Sequence, residues 1–170
     1  IAFGGFYLSG MIINKKTIKE EAIDSHLRDT LPPGTWDAIL DRHNAYDKVP
    51  LEIMSSHGYI LKGWAVLPHP QSGQWILLSH GVTVSKTRSL LYADLFNSLG
   101  FNYVIYDHRF HGESKGKNIS YGFYEREDMK LFMDAIKKQF SPSFLGIHGE
   151  SMGSGIALMY AGTIEDGADF

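Results

Sequence analysis

Short unbroken apolar runs are the strongest pattern in the second two-thirds of the chain. They cover Trp75 to Leu78, Tyr103 to Tyr106 and Phe144 to Ile147. A strand with no polar alternation has both faces buried, which is typical of a parallel sheet covered by helices. We therefore expect three buried strands at these positions.

Helical spacing fills the gaps between these runs. Leucines recur every fourth residue at Leu91, Leu95 and Leu99, and Gly100 follows as a stop signal. A second set of apolar residues follows the i, i+3, i+4, i+7, i+11 spacing of an amphipathic helix: Met129, Phe132, Met133, Ile136 and Phe140. Acidic residues lie near the start of this predicted helix and lysines near its end. A further apolar helix is predicted over Ile156 to Ala161.

Two strand-like runs precede this alternation. Leu51 to Met54 and Tyr59 to Val66 are separated by His57-Gly58, a plausible tight turn, so they predict an antiparallel hairpin. A hairpin followed by strand–helix repeats indicates the α/β class, with a mostly parallel sheet and helices on both faces.

The N-terminal region has a different composition. Residues 1–13 carry no charge and precede Lys15 and Lys16, and the run is too short to span a bilayer alone. It is either the tail of a membrane-anchor helix or an apolar segment buried on the domain; we favour the anchor, and hence membrane association. The predicted division is 1–14 as this segment, 15–48 as a helical connector or cap, and 49–170 as the α/β domain.

Composition limits the function classes. A length of 170 residues fits one domain, and a formal net charge of −3 lacks the basic excess of a nucleic-acid-binding protein. The absence of cysteine excludes a thiol nucleophile and a cysteine-based zinc site. We therefore expect no nucleic-acid partner.

Gly149-Glu150-Ser151-Met152-Gly153 follows a predicted strand and opens a predicted helix. This is the G-x-S-x-G pattern in the strand–turn–helix context that presents a nucleophilic serine. The sharp turn brings the backbone close to the neighbouring elements, so glycine is needed at Gly149 and Gly153. Ser151 is the candidate nucleophile, at a helix N-terminus that favours developing negative charge.

The end of the first parallel strand carries the candidate oxyanion hole. His80-Gly81-Val82 follows that strand directly. Acyl transfer needs a backbone N–H at this point, paired with the N–H after the nucleophile. The pair predicted here is Val82 and Met152.

Polar side chains are concentrated after the second parallel strand, from Asp107 to Ser114. Asp107, His108 and His111 could supply metal ligands, but a tight loop rarely directs three at one point. The alternative that we favour is a hydrogen-bonded loop in which Arg109 pairs with a carboxylate. We thus predict no metal and no cofactor. The expected supports of the site are His80, Gly81, Asp107, Arg109, His111, Gly149, Glu150 and Gly153.

Three motifs taken in order resemble the α/β-hydrolase superfamily, and more narrowly bacterial serine aminopeptidase-like hydrolases, which often have an N-terminal membrane anchor. The motifs are His80-Gly81, Asp107-x-Arg109-x-His111-Gly112-x-Ser114 and Gly149-x-Ser151-x-Gly153. The resemblance implies an eight-stranded, mostly parallel sheet and hydrolysis of an ester, thioester or amide through an acyl-enzyme. It also implies that Ser151 is the nucleophile of a small-molecule acyl substrate, with Val82 and Met152 as the oxyanion hole.

The chain departs from that pattern after the nucleophile. The superfamily order is nucleophile, acid, histidine, yet no histidine follows Ser151 and the last is His148. We expect the catalytic acid and histidine to lie outside this chain, in the C-terminal remainder of the same protein, which also supplies the missing strands. Residues 168–170 then begin another strand, and the chain is an N-terminal half. The alternative is a catalytically inactive binding module with this fold.

Overall fold

A computed structural model of the protein describes residues 9–170. The strands are β1 (Lys48–Met54), β2 (Ile60–Val66), β3 (Gln74–Ser79), β4 (Asn102–Tyr106) and β5 (Phe144–Gly149). The helices are α1 (Glu20–Thr30), α2 (Thr35–Ala45), α3 (Leu90–Ser98), α4 (Glu125–Phe140) and α5 (Met152–Thr163), with a 3-10 helix over Lys86–Ser89.

The five strands form one sheet in the order β1-β2-β4-β3-β5. β1 pairs antiparallel with β2, and β2 pairs antiparallel with β4, whereas β3 runs parallel to both β4 and β5. The predicted fold class is confirmed. Because β3, β4 and β5 are parallel, the segments that follow them lie at one edge of the sheet. The β1–β2 turn, residues 55–59, lies at that same edge because β2 runs opposite to β4.

Helices cover both faces of the sheet, and the strand sequences show why. Trp75 and Leu77 of β3 pack into a core with α4 and α5, while Ile76 and Leu78 pack into a second core with α1, α2 and α3. Successive side chains of a strand point to opposite faces. An unbroken apolar run is therefore required where both faces are buried.

The leucine repeat of α3 does not form its buried face. Leu95 and Leu99 are 57% and 61% exposed, whereas Leu90 and Ala93 are buried against the sheet. Ala93 presents only a methyl group, so the helix can approach the strands closely on that side. The four-residue spacing predicted the helix correctly but not the face that packs.

The N-terminal segment is tied to the sheet edge at two points. The main-chain N–H of Ile119 donates to the carbonyl of Ile13 (2.8 Å), and that of Ile18 donates to the carbonyl of Thr83 (2.7 Å). Residues 1–8, most of the predicted anchor, lie outside the described residues. Within 9–170, no helix combines the length and apolar composition needed to cross a membrane. The domain boundaries near 14 and 48 stay predictions.

The outer edge of β5 is hydrogen-bonded to residues 169 and 170. The N–H of Asp169 donates to the carbonyl of Leu145 (2.8 Å), and the N–H of Ile147 donates to that of Phe170 (3.1 Å). The chain thus lies alongside β5 at the place where the sequence predicts the start of another strand.

Candidate active site

Ser151 occupies the sharp turn between β5 and α5. Its φ of 53° and ψ of −113° fall in a region that L residues rarely adopt. Strained backbone of this kind is concentrated at functional sites. The side chain is exposed, and its hydroxyl makes no hydrogen bond to any residue from 9 to 170.

Two glycines make this turn sterically feasible. A Cβ on Gly153 would collide with the Ser79 carbonyl oxygen and lie 2.6 Å from its carbon. A Cβ on Gly149 would lie 2.5 Å from the Gly153 carbonyl carbon and collide with the Ser154 nitrogen. Only glycine fits at either position without displacing the backbone, as the sequence motif predicts.

The residues predicted to form the oxyanion hole lie beside Ser151. An added Cβ on Gly81, the residue before Val82, would lie 3.5 Å from the Cβ of Ser151. The N–H of Glu150 donates to the carbonyl of Ser79 (3.0 Å), which holds the ends of β3 and β5 together. Neither the Val82 N–H nor the Met152 N–H has an acceptor within the described part of the chain. Both main-chain donors are therefore free at this edge.

His80 fixes the orientation of the Val82 peptide. Its Nδ1–H donates to the carbonyl of Gly81 (2.7 Å), and its Nε2 accepts the N–H of His108 (3.0 Å). In a trans peptide the N–H points opposite to the preceding carbonyl. Holding the Gly81 carbonyl therefore directs the Val82 N–H away from the histidine ring.

His111 holds the next residue of the same loop. Its Nδ1–H donates to the carbonyl of Arg109 (2.9 Å), and its Nε2 accepts the N–H of Thr83 (3.2 Å). Thr83 has a φ of 67°, which is strained for a β-branched residue. His111 and the bond from Ile18 together stabilise this conformation.

All three buried histidines are held neutral. Burial lowers the pKa of His80 to about 3 and the pKa of His108 well below its usual range. Burial also lowers the pKa of His111. The rings serve as fixed donors and acceptors, and their engagement in protein hydrogen bonds makes them poor candidates for a general base.

Asp107 is the centre of the supporting loop, and its partner is Lys86. One carboxylate oxygen accepts the Lys86 N–H (2.8 Å); the other accepts the Lys86 Nζ (2.7 Å) and the Glu113 N–H (3.0 Å). Burial works to lower the pKa of Lys86, but Asp107 and Glu113 outweigh it and raise the pKa. The sequence analysis missed Lys86, since nothing local distinguishes it from a solvated lysine.

Arg109 does not pair with a carboxylate, contrary to expectation. Its guanidinium lies between two tyrosine rings, with Cζ 4.8 Å from the centroid of Tyr59 and 4.4 Å from that of Tyr124. The 3-10 helix after β3 begins at Lys86, and both the N–H and the Nζ of this residue bond the Asp107 carboxylate at the end of β4. The cation at the centre of the loop is therefore a lysine.

Glu150 and His148 flank the turn on the α3 side. Glu150 forms an ion pair with Arg88 (3.3 Å). Glu150 and Arg88 line a cavity of about 280 Å³, and Ile23 and Leu27 of α1 are also in its wall. The His148 ring packs on Tyr92 (centroids 4.3 Å apart), and burial lowers its pKa. Engaged in this way, His148 is not placed to activate Ser151.

The residues considered as metal ligands, Asp107, His108 and His111, all take part in hydrogen bonds within the protein. Within residues 9–170, no group of three histidine, aspartate or glutamate side chains is placed to hold an ion. Asp107 is committed to Lys86 and two main-chain donors, and His80 and His111 are committed through both ring nitrogens.

One sequence comparison identifies a family, and a second identifies a curated relative. The family model described as serine aminopeptidase, S33, matches residues 70–169. The uncharacterized protein YqkD of Bacillus subtilis is 41% identical over 174 residues, covering 98% of this chain and 53% of YqkD. The chain thus spans about half the length of that curated relative.

Solved structures agree with the fold. The esterase Pf2001 of Pyrococcus furiosus superposes with a TM-score of 0.64 at 22% identity, covering 79% of this chain and 52% of the esterase. XC6422 of Xanthomonas campestris, described as a member of the α/β serine hydrolases without a lid, superposes with a TM-score of 0.61 at 20% identity, covering 69% of this chain and 57% of XC6422. The solved structures show that the chain has the α/β-hydrolase fold. The family model, which matches more than half of the chain, shows that it belongs to the serine aminopeptidase S33 family.

Proposed function

We propose that the protein is a serine hydrolase that cleaves an ester, thioester or amide through an acyl-enzyme on Ser151. The observation that carries the proposal is the exposed, strained Ser151 beside two free main-chain N–H groups. Family membership supports hydrolase chemistry in general. That Ser151 is the nucleophile, and that the reaction passes through an acyl-enzyme, are the parts that we propose beyond family membership.

The proposed reaction has two stages. In the first, Ser151 Oγ attacks the substrate carbonyl while a histidine outside this chain accepts its proton. That histidine then gives the proton to the departing alcohol, thiol or amine as its bond to the carbonyl carbon breaks, which leaves the acyl group on Ser151. The negative charge on the carbonyl oxygen is stabilised by the N–H groups of Val82 and Met152, aided by the N-terminus of α5. In the second stage, the same histidine activates water to release the acyl group.

The supporting residues act in this scheme by pre-orienting the donors. His80 holds the peptide that carries the Val82 N–H, and His111 holds the residue after it. Donors that are already in position need no reorganisation when charge develops, which is the main source of their effect. Asp107 and Lys86 anchor the loop on which His111 is placed.

Turnover of a p-nitrophenyl ester by the full-length protein tests the proposal. Ser151→Ala should reduce kcat by about a thousandfold or more. Ser154→Ala is the matched control, because its hydroxyl is already bonded to the Gly149 carbonyl; it should retain most of the activity. Folded protein with no turnover would instead favour the catalytically inactive binding module.

Membrane anchoring through residues 1–14 is a separate proposal. It rests on the uncharged run before Lys15 and Lys16. Met11 and Ile12 expose their apolar side chains, and a bilayer would cover such apolar surface. Fractionation of native cells tests it, and recovery of the full-length protein in the soluble fraction alone would contradict it.

A further inference from the structure

A second cavity lies on the same sheet edge as Ser151, but at the other end of the described sheet. It has a volume of about 500 Å³ and lies where the β1–β2 turn meets the loop after β4. Its walls include His57, Tyr59, Arg109, Gly116, Lys117 and Tyr124. Strands are spaced about 4.8 Å apart, so two to three strand spacings separate it from Ser151, roughly 10–14 Å. The proposed hydrolysis does not use it.

Arg109 is a buried cation with no acceptor. The residue is 6% exposed, and its guanidinium donates no hydrogen bond to any residue within 9–170. Nε and Nη1 are enclosed, whereas Nη2 is neither enclosed nor bonded. Tyr59 and Tyr124 pack against the guanidinium, so its unpaired N–H groups can reach an acceptor only in the plane of the group. Buried charges normally have a partner, so this arrangement is that of a site awaiting an acceptor.

The charged residues that line this cavity are cationic. Lys117 is the second cation in its wall. The neighbouring carboxylates do not line the cavity and are bonded to other side chains. Asp128 accepts hydrogen bonds from Ser55 Oγ (2.6 Å) and the Tyr59 hydroxyl (2.7 Å), and Glu127 pairs with His57 Nε2 (2.8 Å). Asp128 interacts electrostatically with Arg109 but makes no hydrogen bond to it.

We propose that this cavity binds the carboxylate or phosphate group of a small molecule. Arg109 Nη2 and Lys117 Nζ supply the charge, since arginine in a fixed plane and lysine as a mobile point charge are the usual partners of such anions. The tyrosine rings hold the guanidinium in place before binding. Gly116, at a φ of 124°, brings the loop close to Arg109 and closes one side of the cavity.

Calorimetric titration of the full-length protein with inorganic phosphate and, separately, benzoate tests this site at low ionic strength. We expect dissociation constants on the order of 1 mM for at least one probe, which identifies the favoured anion. Lys117→Gln should weaken binding about tenfold without affecting the fold, because the side chain is exposed. Arg109→Lys should also weaken it, since lysine cannot fill the planar space between the rings.

Lys115→Gln is the matched control. Lys115 is an exposed lysine on the same loop and does not line the cavity, so its loss should change the dissociation constant less than about twofold. Equal weakening by Lys115→Gln and Lys117→Gln would show nonspecific attraction and overturn the proposal. Absence of heat for both probes up to about 20 mM would overturn it as well. Neither result depends on Ser151 being a nucleophile.

Discussion

Replacing Lys86 with methionine tests whether the loop beside the candidate site depends on a buried ion pair. Methionine keeps most of the length and apolar character of the lysine side chain but removes the ammonium group. The carboxylate of Asp107, which is fully buried, then loses its cation and keeps only two main-chain N–H donors, those of residue 86 and Glu113. The variant isolates the electrostatic part of the interaction.

The expected loss is large because the pair is enclosed. Lys86 Nζ lies 2.7 Å from Asp107 Oδ2, and the two side chains are 10% and 0% exposed. Removing one partner of such a pair leaves an uncompensated buried charge, which costs about 3–5 kcal/mol. Two main-chain N–H groups still bond the carboxylate, so we expect a value near the lower end, about 3 kcal/mol.

Equilibrium urea unfolding of the full-length protein at neutral pH measures this loss. Lys62→Met is the matched control, because Lys62 and Glu52 form a longer pair (3.4 Å) with both side chains well exposed. Pairs of that kind contribute less than about 1 kcal/mol. The double variant Lys86→Met with Asp107→Asn should recover part of the lost stability, since the unpaired charge is then absent.

A loss below about 1 kcal/mol for Lys86→Met would refute this reasoning. It would mean that Asp107 is stabilised by its main-chain donors alone and that Lys86 is an incidental neighbour. No recovery in the double variant would lead to the same conclusion.

Two further predictions concern the turn and the buried histidines. Gly153→Ala should destabilise the full-length protein by about 2 kcal/mol or more, because the added Cβ would collide with the Ser79 carbonyl. Gly155→Ala is the matched control: its Cβ would lie in open space, so the change should be neutral or stabilising by up to about 1 kcal/mol. Equal melting temperatures for the two variants would contradict the steric account. Stability should also fall on acidification. The pKa of the His80 side chain is about 3 in the folded protein and near 6.5 in the unfolded chain. Between these pH values the unfolded chain binds a proton on His80 that the folded protein does not bind, so acid favours unfolding. The stability from His80 is nearly complete at about pH 7.5 and decreases as the pH falls through the unfolded pKa, by about 1.4 kcal/mol from about pH 7.5 to about pH 5.5. His80→Gln should remove that share, and a flat profile from urea unfolding would contradict this.

The elements that position the candidate site could be predicted from local sequence. Unbroken apolar runs located β3, β4 and β5 because burial on both faces leaves no polar position. The turn at Ser151 was also predictable, because the turn leaves no space for a side chain at Gly149 or Gly153. Both features depend on residues close together in the chain.

The side-chain partners could not be predicted in this way. Lys86 and Asp107 are 21 residues apart, and nothing near Lys86 signals that it is buried. Arg109 was expected to meet a carboxylate, but its neighbours are Tyr59, from the hairpin, and Tyr124, from the start of α4. Such contacts depend on how the strands and loops assemble, and sequence spacing does not encode them.

Labelling with a fluorophosphonate tests the central claim most directly. The probe reacts with an activated serine hydroxyl and leaves a covalent adduct that peptide mass spectrometry can locate. The account predicts a single adduct on Ser151 in the folded full-length protein, absent from Ser151→Ala and retained in Ser154→Ala. Folded protein without an adduct, or an adduct on another serine, would contradict it.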